Sequence, residues 1–294
     1  LEAVTWSFTD SRIDKQFSKG KKEIEITNPI SSDLNVLRRS IFTNLIIYLK
    51  KNQDRGYPDI SLFEIGPIFS GNKPGEQQVV LGGLKSGVAN RKSWDTQARN
   101  IDVFDVKADA IKTLIELGVE ERDLHISNQT QDYYNPVRSG SVNFKSENGP
   151  QLGFFGEIHP AIVSNIDLKE QNVCGFEIFI KNIPEPQKKH RLIKRNYSVS
   201  EFQKSERDFA FIIDKNYKAG DVKKIISEVD KSLIKKILIF DVFEGGNMPE
   251  GKKSIAINVT IQSMDKTLSE KDINDVSQKI INIVKAKTGG TIRS

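Results

Sequence analysis

Residues 208–214 read Asp-Phe-Ala-Phe-Ile-Ile-Asp, and the elements that follow this stretch decide the fold of the second half of the chain. Its large apolar side chains recur at every second position, which is the period of a β-strand. A stripe at helical spacing comes next, in Val222, Ile225, Ile226 and Val229. The pattern predicts a strand followed by a helix that begins near residues 219–221.

A hairpin follows this helix. Residues 237–243 and 254–262 are rich in β-branched and aromatic residues, and they flank the glycine-rich segment 244–251. Two such runs on either side of a glycine-rich segment predict two antiparallel strands joined by a turn.

A long helix and a short strand complete this half of the chain. Ser269 and Asp272 have the spacing of a capping box, and Gly289 ends the helix before residues 291–293. The predicted order is β-α-β-β-α-β, a ferredoxin-like unit. Its two helices cover one face of a four-stranded sheet and leave the other face open.

The period of two assigns each strand residue to one face of this sheet. We expect the helix-facing set to be Phe209, Phe211, Ile213, Leu238, Phe240, Val242, Ile255, Ile257, Val259 and Ile261. We expect the open-face set to be Asp208, Ala210, Ile212, Ile239, Asp241, Phe243, Ser254, Ala256, Asn258 and Thr260.

A mostly polar open sheet face with an exposed aromatic is typical of modules that stack unpaired RNA bases. Phe243 is then either a stacking residue or an ordinary strand residue near a turn. Asp241 argues against simple phosphate binding, because a carboxylate repels phosphate and would instead accept hydrogen bonds from a base. If the open face is a binding site, it is one that reads a base.

The first half of the chain, residues 1–183, has the pattern of an α+β domain with antiparallel strands and flanking helices. Its strand candidates are residues 61–69, 79–84, 101–106, 141–144, 151–155 and 173–180. One helix is predicted to begin at residues 31–33 and to run to Lys51, and another to span residues 108–117 before Gly118.

Length, composition and charge support two soluble domains. A chain of 294 residues predicts about two domains. Residues 184–197 contain five Lys and Arg against one Glu, together with two prolines, so we expect a basic linker there and a second domain at 198–294. The linker basics Lys188, Lys189, Arg191, Lys194 and Arg195 are either solvated or in contact with an RNA backbone.

Several function classes are disfavoured by the same residues. The longest apolar stretch, residues 41–49, is far shorter than the roughly 20 residues of a membrane span, so no membrane association is expected. A single cysteine, Cys174, excludes an internal disulfide and fits a reducing cytoplasm. The chain begins at Leu1 without an initiator Met, so we expect a piece of a longer protein.

The candidate catalytic and metal-binding residues do not form the sequence pattern of any known type of active site or metal site. Residues 82–86 contain a Lys-Ser pair but lack the glycine that precedes the lysine of a phosphate loop. The three histidines, His125, His159 and His190, are not at metal-ligand spacing. Cys174 borders an apolar strand and is interpreted as a core residue, and Glu157 with His159 as structural. We therefore predict no catalytic and no metal site in this chain.

Nine short motifs occur in order along the sequence. In the second half they are Glu206-Arg207-Asp208-Phe209-Ala210-Phe211, Ala219-Gly220-Asp221-Val222, Phe240-Asp241-Val242-Phe243 and Pro249-Glu250-Gly251-Lys252-Lys253-Ser254. In the first half they are Asn28-Pro29-Ile30-Ser31, Leu37-Arg38-Arg39-Ser40, Leu62-Phe63-Glu64-Ile65-Gly66, Phe104-Asp105-Val106-Lys107 and Gly156-Glu157-Ile158-His159-Pro160. With these motifs the chain resembles the carboxy-terminal part of the β subunits of bacterial phenylalanine–tRNA ligases.

The resemblance implies a role within an α2β2 enzyme that joins phenylalanine to its tRNA with ATP and magnesium. The working class II active site of that family is in the α subunit. Residues 1–183 would have the class II fold without its catalytic residues, and the candidate strand 175–180 indeed lacks the arginine that this chemistry needs. This half is expected to be a scaffold that packs on the α subunit, and the chain itself to bind no cofactor.

The resemblance also implies that residues 198–294 form an anticodon-binding domain. The family's anticodon-contacting positions correspond to Ala210, Asp241, Phe243 and Ser254. Phe243 would stack on the first anticodon base, Asp241 and Ser254 would hydrogen-bond its edges, and Ala210 would leave room for it. The family usually has tyrosine where this chain has Phe243, so stacking is expected without a hydroxyl contact.

The chain departs from the family elsewhere too. Residues 135–139 read Asn-Pro-Val-Arg-Ser where His-Pro-Gly-Arg-Ser is more usual. The family's editing domain has no counterpart in these residues, so editing is not expected of this chain. Two alternatives stay open: a free-standing class II-like enzyme acting on a small molecule, and a regulatory module that binds protein or an amino acid on its ferredoxin-like sheet.

Overall fold

A computed structural model of the chain describes residues 1–169, 172–185, 199–245 and 248–293. The chain divides into two compact units, Leu1–Lys194 and Arg195–Ser294. Most of the predicted linker, with Lys188, Lys189, Arg191, Lys194 and Arg195, lies outside the described residues. The linker and its contacts with RNA therefore stay predictions. Within the described ranges, no helix combines the length and the apolar character that crossing a bilayer requires.

The first unit is built on a six-stranded antiparallel sheet. In chain order the strands of the whole unit are β1 (Phe8–Thr9), β2 (Val36–Leu37), β3 (Ile60–Phe69), β4 (Gln77–Ser86), β5 (Val88–Asn90), β6 (Arg99–Asn100), β7 (Leu124–Ser127), β8 (Tyr134–Phe144), β9 (Gln151–Ile158) and β10 (Val173–Phe179). The large sheet has the order β3-β4-β10-β9-β8-β7, while β1 pairs with β2 and β5 with β6.

Helices cover both faces of the large sheet. They are α1 (Ser11–Phe17), α2 (Phe42–Asp54), α3 (Val103–Glu116) and α4 (Pro160–Asn165). Alternate residues of β10 join two apolar clusters, one of which contains Leu45 of α2 and the other Leu114 of α3. Gly82 and Gly175 let α2 approach the sheet, because an added Cβ would overlap Ile41 or Phe42. The predicted α+β class is confirmed.

Two predictions for the first unit are wrong at the level of single elements. The helix expected from residues 31–33 begins only at Phe42, because Val36 and Leu37 pair with β1 as a strand instead. The strand expected at residues 101–106 is largely the start of α3. Asp102 accepts hydrogen bonds from the backbone N–H groups of Phe104 and Asp105, so it forms a capping box that begins a helix there.

The second unit has the predicted order β-α-β-β-α-β. Its elements are β11 (Ser205–Asp214), α5 (Ala219–Ser227), β12 (Ile234–Phe243), β13 (Lys252–Ile261), α6 (Glu270–Thr288) and β14 (Thr291–Ile292). The antiparallel sheet has the order β12-β13-β11-β14. Ser269 caps α6 through the predicted capping box, and Gly289 ends that helix in the left-handed conformation.

The two helices and one face of this sheet share a single apolar core. It contains Phe209, Phe211 and Ile213 of β11 and Ile255, Ile257, Val259 and Ile261 of β13, as predicted. Val222 and Ile226 of α5 and Ile280 of α6 pack against them. The opposite sheet face is therefore the open one.

A β-bulge in β12 reverses the predicted faces of part of that strand. Leu238 pairs with Asn258 and Ile239 with Ile257, but the next pair is Asp241 with Ala256. Phe240 is the extra residue, which shifts the alternation by one position. Leu238 thus lies on the open face, whereas Ile239 packs against the core, opposite to expectation.

The bulge also changes the surroundings of the neighbouring apolar side chains. Phe240, predicted to face the helices, is exposed, and so is Val242, although Val242 pairs with core-facing Ile255. Beyond the bulge, Asp241 and Phe243 lie on the open face as predicted, because their partners Ala256 and Ser254 belong to that face.

The bulge predicts unequal losses of stability for two adjacent truncations. Ile239→Ala is expected to destabilise the second unit by about 1–2 kcal/mol because it removes packing from the core. Leu238→Ala should change the free energy of unfolding by less than about 0.5 kcal/mol, because that side chain is exposed. Thermal unfolding followed by circular dichroism compares the two variants. A larger loss in Leu238→Ala would contradict the observed register.

Candidate nucleic-acid interface

The four residues predicted to read a base come together on the open face of the second unit. Asp241 pairs with Ala256, which pairs with Ala210 on the next strand. Phe243 pairs with Ser254 in the adjacent row. Ala210, Asp241, Phe243 and Ser254 therefore lie in two neighbouring cross-strand rows, which we call the platform.

The platform has the width and the shallow shape of a binding site for one planar base. Neighbouring strands are about 4.8 Å apart, so β11, β13 and β12 span about 10 Å. The small side chains of Ala210 and Ala256 form its floor, and Phe243 and Asp241 stand at the β12 edge. Such an arrangement leaves an aromatic face for stacking beside a carboxylate that accepts hydrogen bonds.

Exposure differs among the platform residues. Phe243 is 41 % exposed and Asp241 is exposed, so both are accessible to a ligand. Ser254 is only 4 % exposed. A base can reach the Ser254 hydroxyl only if side chains around it move, which the sequence did not indicate.

Arg293 is a platform neighbour that the sequence analysis missed. Its guanidinium carbon lies 5.9 Å from the centroid of the Phe243 ring. Its backbone N–H donates a hydrogen bond of 2.8 Å to the carbonyl oxygen of Ala210, so it continues the ladder beyond β14. The strand parity of Thr291, two residues earlier and paired with open-face Ile212, could have placed Arg293 on the open face.

A neighbouring acidic residue, Asp208, has a partner within the sheet. Asn258 Nδ2 donates a hydrogen bond of 2.7 Å to Asp208 Oδ1, one row from Ala210 and Ala256. Asp241, by contrast, forms no ion pair with a cation in the described ranges. Asp241 is therefore the carboxylate of the platform that is available to a ligand.

The candidate chemical groups of the first unit have structural roles. His159 Nδ1 accepts a hydrogen bond of 3.2 Å from the backbone N–H of Ala161 and caps α4. Glu157 pairs with Arg138 at 3.2 Å, and Lys85 pairs with Asp109 at 2.6 Å. The contacts of Glu157 and His159 are thus structural ones. Lys85, the lysine of the segment 82–86, is ion-paired with Asp109.

Cys174 is a core residue. It is buried in the apolar cluster beneath α3. Burial raises the pKa of its thiol to about 12, so the nucleophilic thiolate is not formed near neutral pH. Across the part of the chain that the structure describes, no group of three His, Cys, Asp or Glu side chains is arranged to hold a metal ion.

Two family models match the chain. The model over residues 200–293 is described as the ferredoxin-fold anticodon binding domain. The second unit is thus an anticodon-binding type of domain, in agreement with its topology. The model over residues 1–180 is described as the phenylalanyl tRNA synthetase beta chain CLM domain. Since that match covers more than half of the chain, the chain belongs to the phenylalanyl-tRNA synthetase beta chain family.

Curated relatives agree with this family. The phenylalanine–tRNA ligase beta subunit of Paramagnetospirillum magneticum is 41 % identical over 100 % of this chain, and that of Rhodospirillum rubrum is 39 % identical over 100 %. The one from Bartonella henselae is 38 % identical over 99 % of the chain. The chain spans 36 % of the length of each of these three relatives.

Proposed function

We propose that this chain is the tRNA-binding and structural portion of a phenylalanine–tRNA ligase beta subunit. It supports the ATP-dependent attachment of phenylalanine to tRNA by an alpha subunit, within a cytoplasmic α2β2 enzyme. The observation that carries the proposal is the platform, because four separately predicted residues lie in two adjacent rows of one open face.

The platform suits a single unpaired base. Phe243 stacks on the first anticodon base, Asp241 and Ser254 hydrogen-bond its edges, and Ala210 leaves room for the ring. Stacking on an aromatic side chain is worth about 1–3 kcal/mol per base. Phe243 supplies it without the hydroxyl of the tyrosine more usual at this position.

The first unit acts as a scaffold rather than as an ATP site. Class II chemistry needs arginines that stabilise charge on the ATP phosphates. Arg38 and Arg39 are instead buried, with Arg38 Nη1 2.8 Å from Glu64 Oε1 and Arg39 Nε 2.7 Å from Asp14 Oδ2. Their guanidinium groups are thereby held by the protein's own carboxylates. ATP and magnesium belong to the complete enzyme in this proposal.

Phe243→Ala is expected to weaken binding of a phenylalanine-tRNA anticodon stem-loop by about 1–3 kcal/mol, because it removes the stacking surface. Phe243→Tyr should retain the affinity. The measurement is titration of the purified chain with the cognate stem-loop and with one whose anticodon bases are changed.

Phe240→Ala provides the matched control for this experiment. Phe240 is an exposed aromatic of the same strand, but it is the bulge residue and lies outside the platform rows. Its truncation should leave the preference for the cognate stem-loop intact. Equal binding of both stem-loops by the unmodified chain would contradict the proposed anticodon reading.

The free-standing enzyme makes a different prediction. It requires the chain alone to bind ATP and to consume it in the presence of its substrate. We expect no phenylalanine-dependent ATP consumption without an alpha subunit. Robust turnover by the purified chain would overturn the scaffold role of the first unit.

A further inference from the structure

Arg293 lies across the platform. The row that contains Arg293 continues through Ala210 and Ala256 to Asp241. The backbones at its two ends are three strand spacings apart, about 14 Å. The Arg293 side chain nevertheless reaches the Phe243 ring, with 5.9 Å between the guanidinium carbon and the ring centroid. The side chains of Ala210 and Ala256 are small, so they leave room above the sheet for the Arg293 side chain to extend towards β12.

The platform therefore has a carboxylate on β12 and a guanidinium that extends from the opposite edge of the sheet to the Phe243 ring on the same strand. Asp241 repels phosphate, so a nucleotide stacked on Phe243 needs a positive group for its phosphate. Two lysines near Phe243 are already beside carboxylates, since Lys252 Nζ is 3.9 Å from Asp214 Oδ2 and Lys215 Nζ is 3.6 Å from Glu244 Oε2. Arg293 forms no ion pair with a carboxylate of the described residues.

We infer that Arg293 is a further RNA-binding residue of the platform: its guanidinium binds the phosphate of the nucleotide whose base stacks on Phe243. The inference rests on the proposed function. A guanidinium presents several N–H donors that match phosphate oxygens in a bidentate way. The contact with the Phe243 ring holds the cation beside the base position before RNA arrives.

Salt dependence tests this contact separately from stacking. A phosphate contact contributes about 0.7 to the slope of log affinity against log salt for a single strand, whereas stacking does not. Arg293→Gln is expected to lower the slope for the cognate stem-loop by about 0.7. The ratio of the affinity of the unmodified chain to that of Arg293→Gln should therefore be about fivefold larger at about 0.1 M salt than at about 1 M.

Matched variants sharpen the test. Arg293→Lys keeps the charge and should keep the slope of log affinity against log salt. Phe243→Ala should lower the affinity for the stem-loop but leave that slope unchanged. Lys223→Gln removes the same charge from exposed α5, behind the sheet, and should leave binding unchanged. The backbone hydrogen bond of Arg293 to Ala210 does not depend on the side chain, and an unchanged melting temperature of Arg293→Gln checks the fold.

Two results would overturn the inference. One is a slope for Arg293→Gln equal to that of the unmodified chain, and the other is tighter binding by that variant, which would mean that Arg293 merely occupies the platform. In both cases a retained preference for the cognate stem-loop would leave the anticodon-reading function standing. Loss of that preference in the unmodified chain would instead contradict the proposed function itself.

Discussion

Arg38→Met is expected to destabilise the first unit by about 3–5 kcal/mol, because it leaves a buried carboxylate without its cation. The side chains of Arg38 and Glu64 are 1 % and 4 % exposed, and their charged atoms are 2.8 Å apart. Arg38 also donates hydrogen bonds of 2.9 Å to the Pro67 carbonyl and to the Thr5 hydroxyl. These contacts of Arg38 thus connect the segment that precedes α2 to β3 and to the amino-terminal segment.

Urea denaturation followed by tryptophan fluorescence measures this effect in the whole chain. Both tryptophans, Trp6 and Trp94, are in the first unit, so their signal reports its unfolding alone. The double variant Arg38→Met with Glu64→Leu should recover most of the loss, because no buried charge is then left unpaired.

Arg12→Met is the control for the buried pair. Arg12 pairs with Asp10, but its side chain is 79 % exposed, so its loss should cost far less stability than the loss of Arg38. Equal effects of Arg12→Met and Arg38→Met would show that the Arg38 pair has no special role. The interior arginines of the first unit would then not have the structural role that the proposed scaffold gives them.

Local signals explain why the second unit was predictable. Strand alternation, the Ser269 capping box and the Gly289 helix end each act within a few residues of the chain. The bulge at Phe240 was not predictable, because Leu238, Ile239 and Phe240 are all apolar, and the polar residue that follows, Asp241, is on the open face in the unshifted alternation as well. The four platform residues still lie together on the open face, since Asp241 and Phe243 lie beyond the bulge.

The first unit shows where tertiary contacts overrule local pattern. Residues 34–41 carry an apolar spacing that fits a helix, yet Val36 and Leu37 pair with β1 and Arg38 and Arg39 reach carboxylates elsewhere in the fold. Arg293 illustrates the same limit at the site. Its contact with Phe243 spans two intervening strands, and no sequence period encodes the reach of a side chain across a sheet.

Glu177→Gln is expected to make the first unit more stable above neutral pH, by on the order of 3 kcal/mol. Glu177 lies on the central strand β10 and is buried. Desolvation raises the pKa of its carboxyl from 4.5 to about 7, although a hydrogen bond from the Tyr133 hydroxyl and the charge of Lys21 act in the opposite direction. The folded state therefore favours the protonated acid.

The pH dependence has a definite sign. Between about 4.5 and about 7 the unfolded chain has lost the Glu177 proton while the folded chain still binds it, so this group's contribution to stability falls as the pH rises. Above about 7 the penalty is complete, and below 4.5 both states are protonated. Glutamine resembles the protonated acid at every pH, so the advantage of the variant should grow across this window and then level off.

Urea denaturation at a series of pH values, monitored through the fluorescence of Trp6 and Trp94, tests this prediction. It gives the difference in the free energy of unfolding between Glu177→Gln and the unmodified chain at each pH. Tyr133→Phe removes the hydrogen bond that lowers the Glu177 pKa, so the decline in stability should extend to higher pH in that variant. A difference between Glu177→Gln and the unmodified chain that is constant from about pH 5 to about pH 8 would mean that Glu177 is ionised in the folded state throughout. The buried strand β10 would then have to stabilise that charge by contacts with groups other than Tyr133 and Lys21.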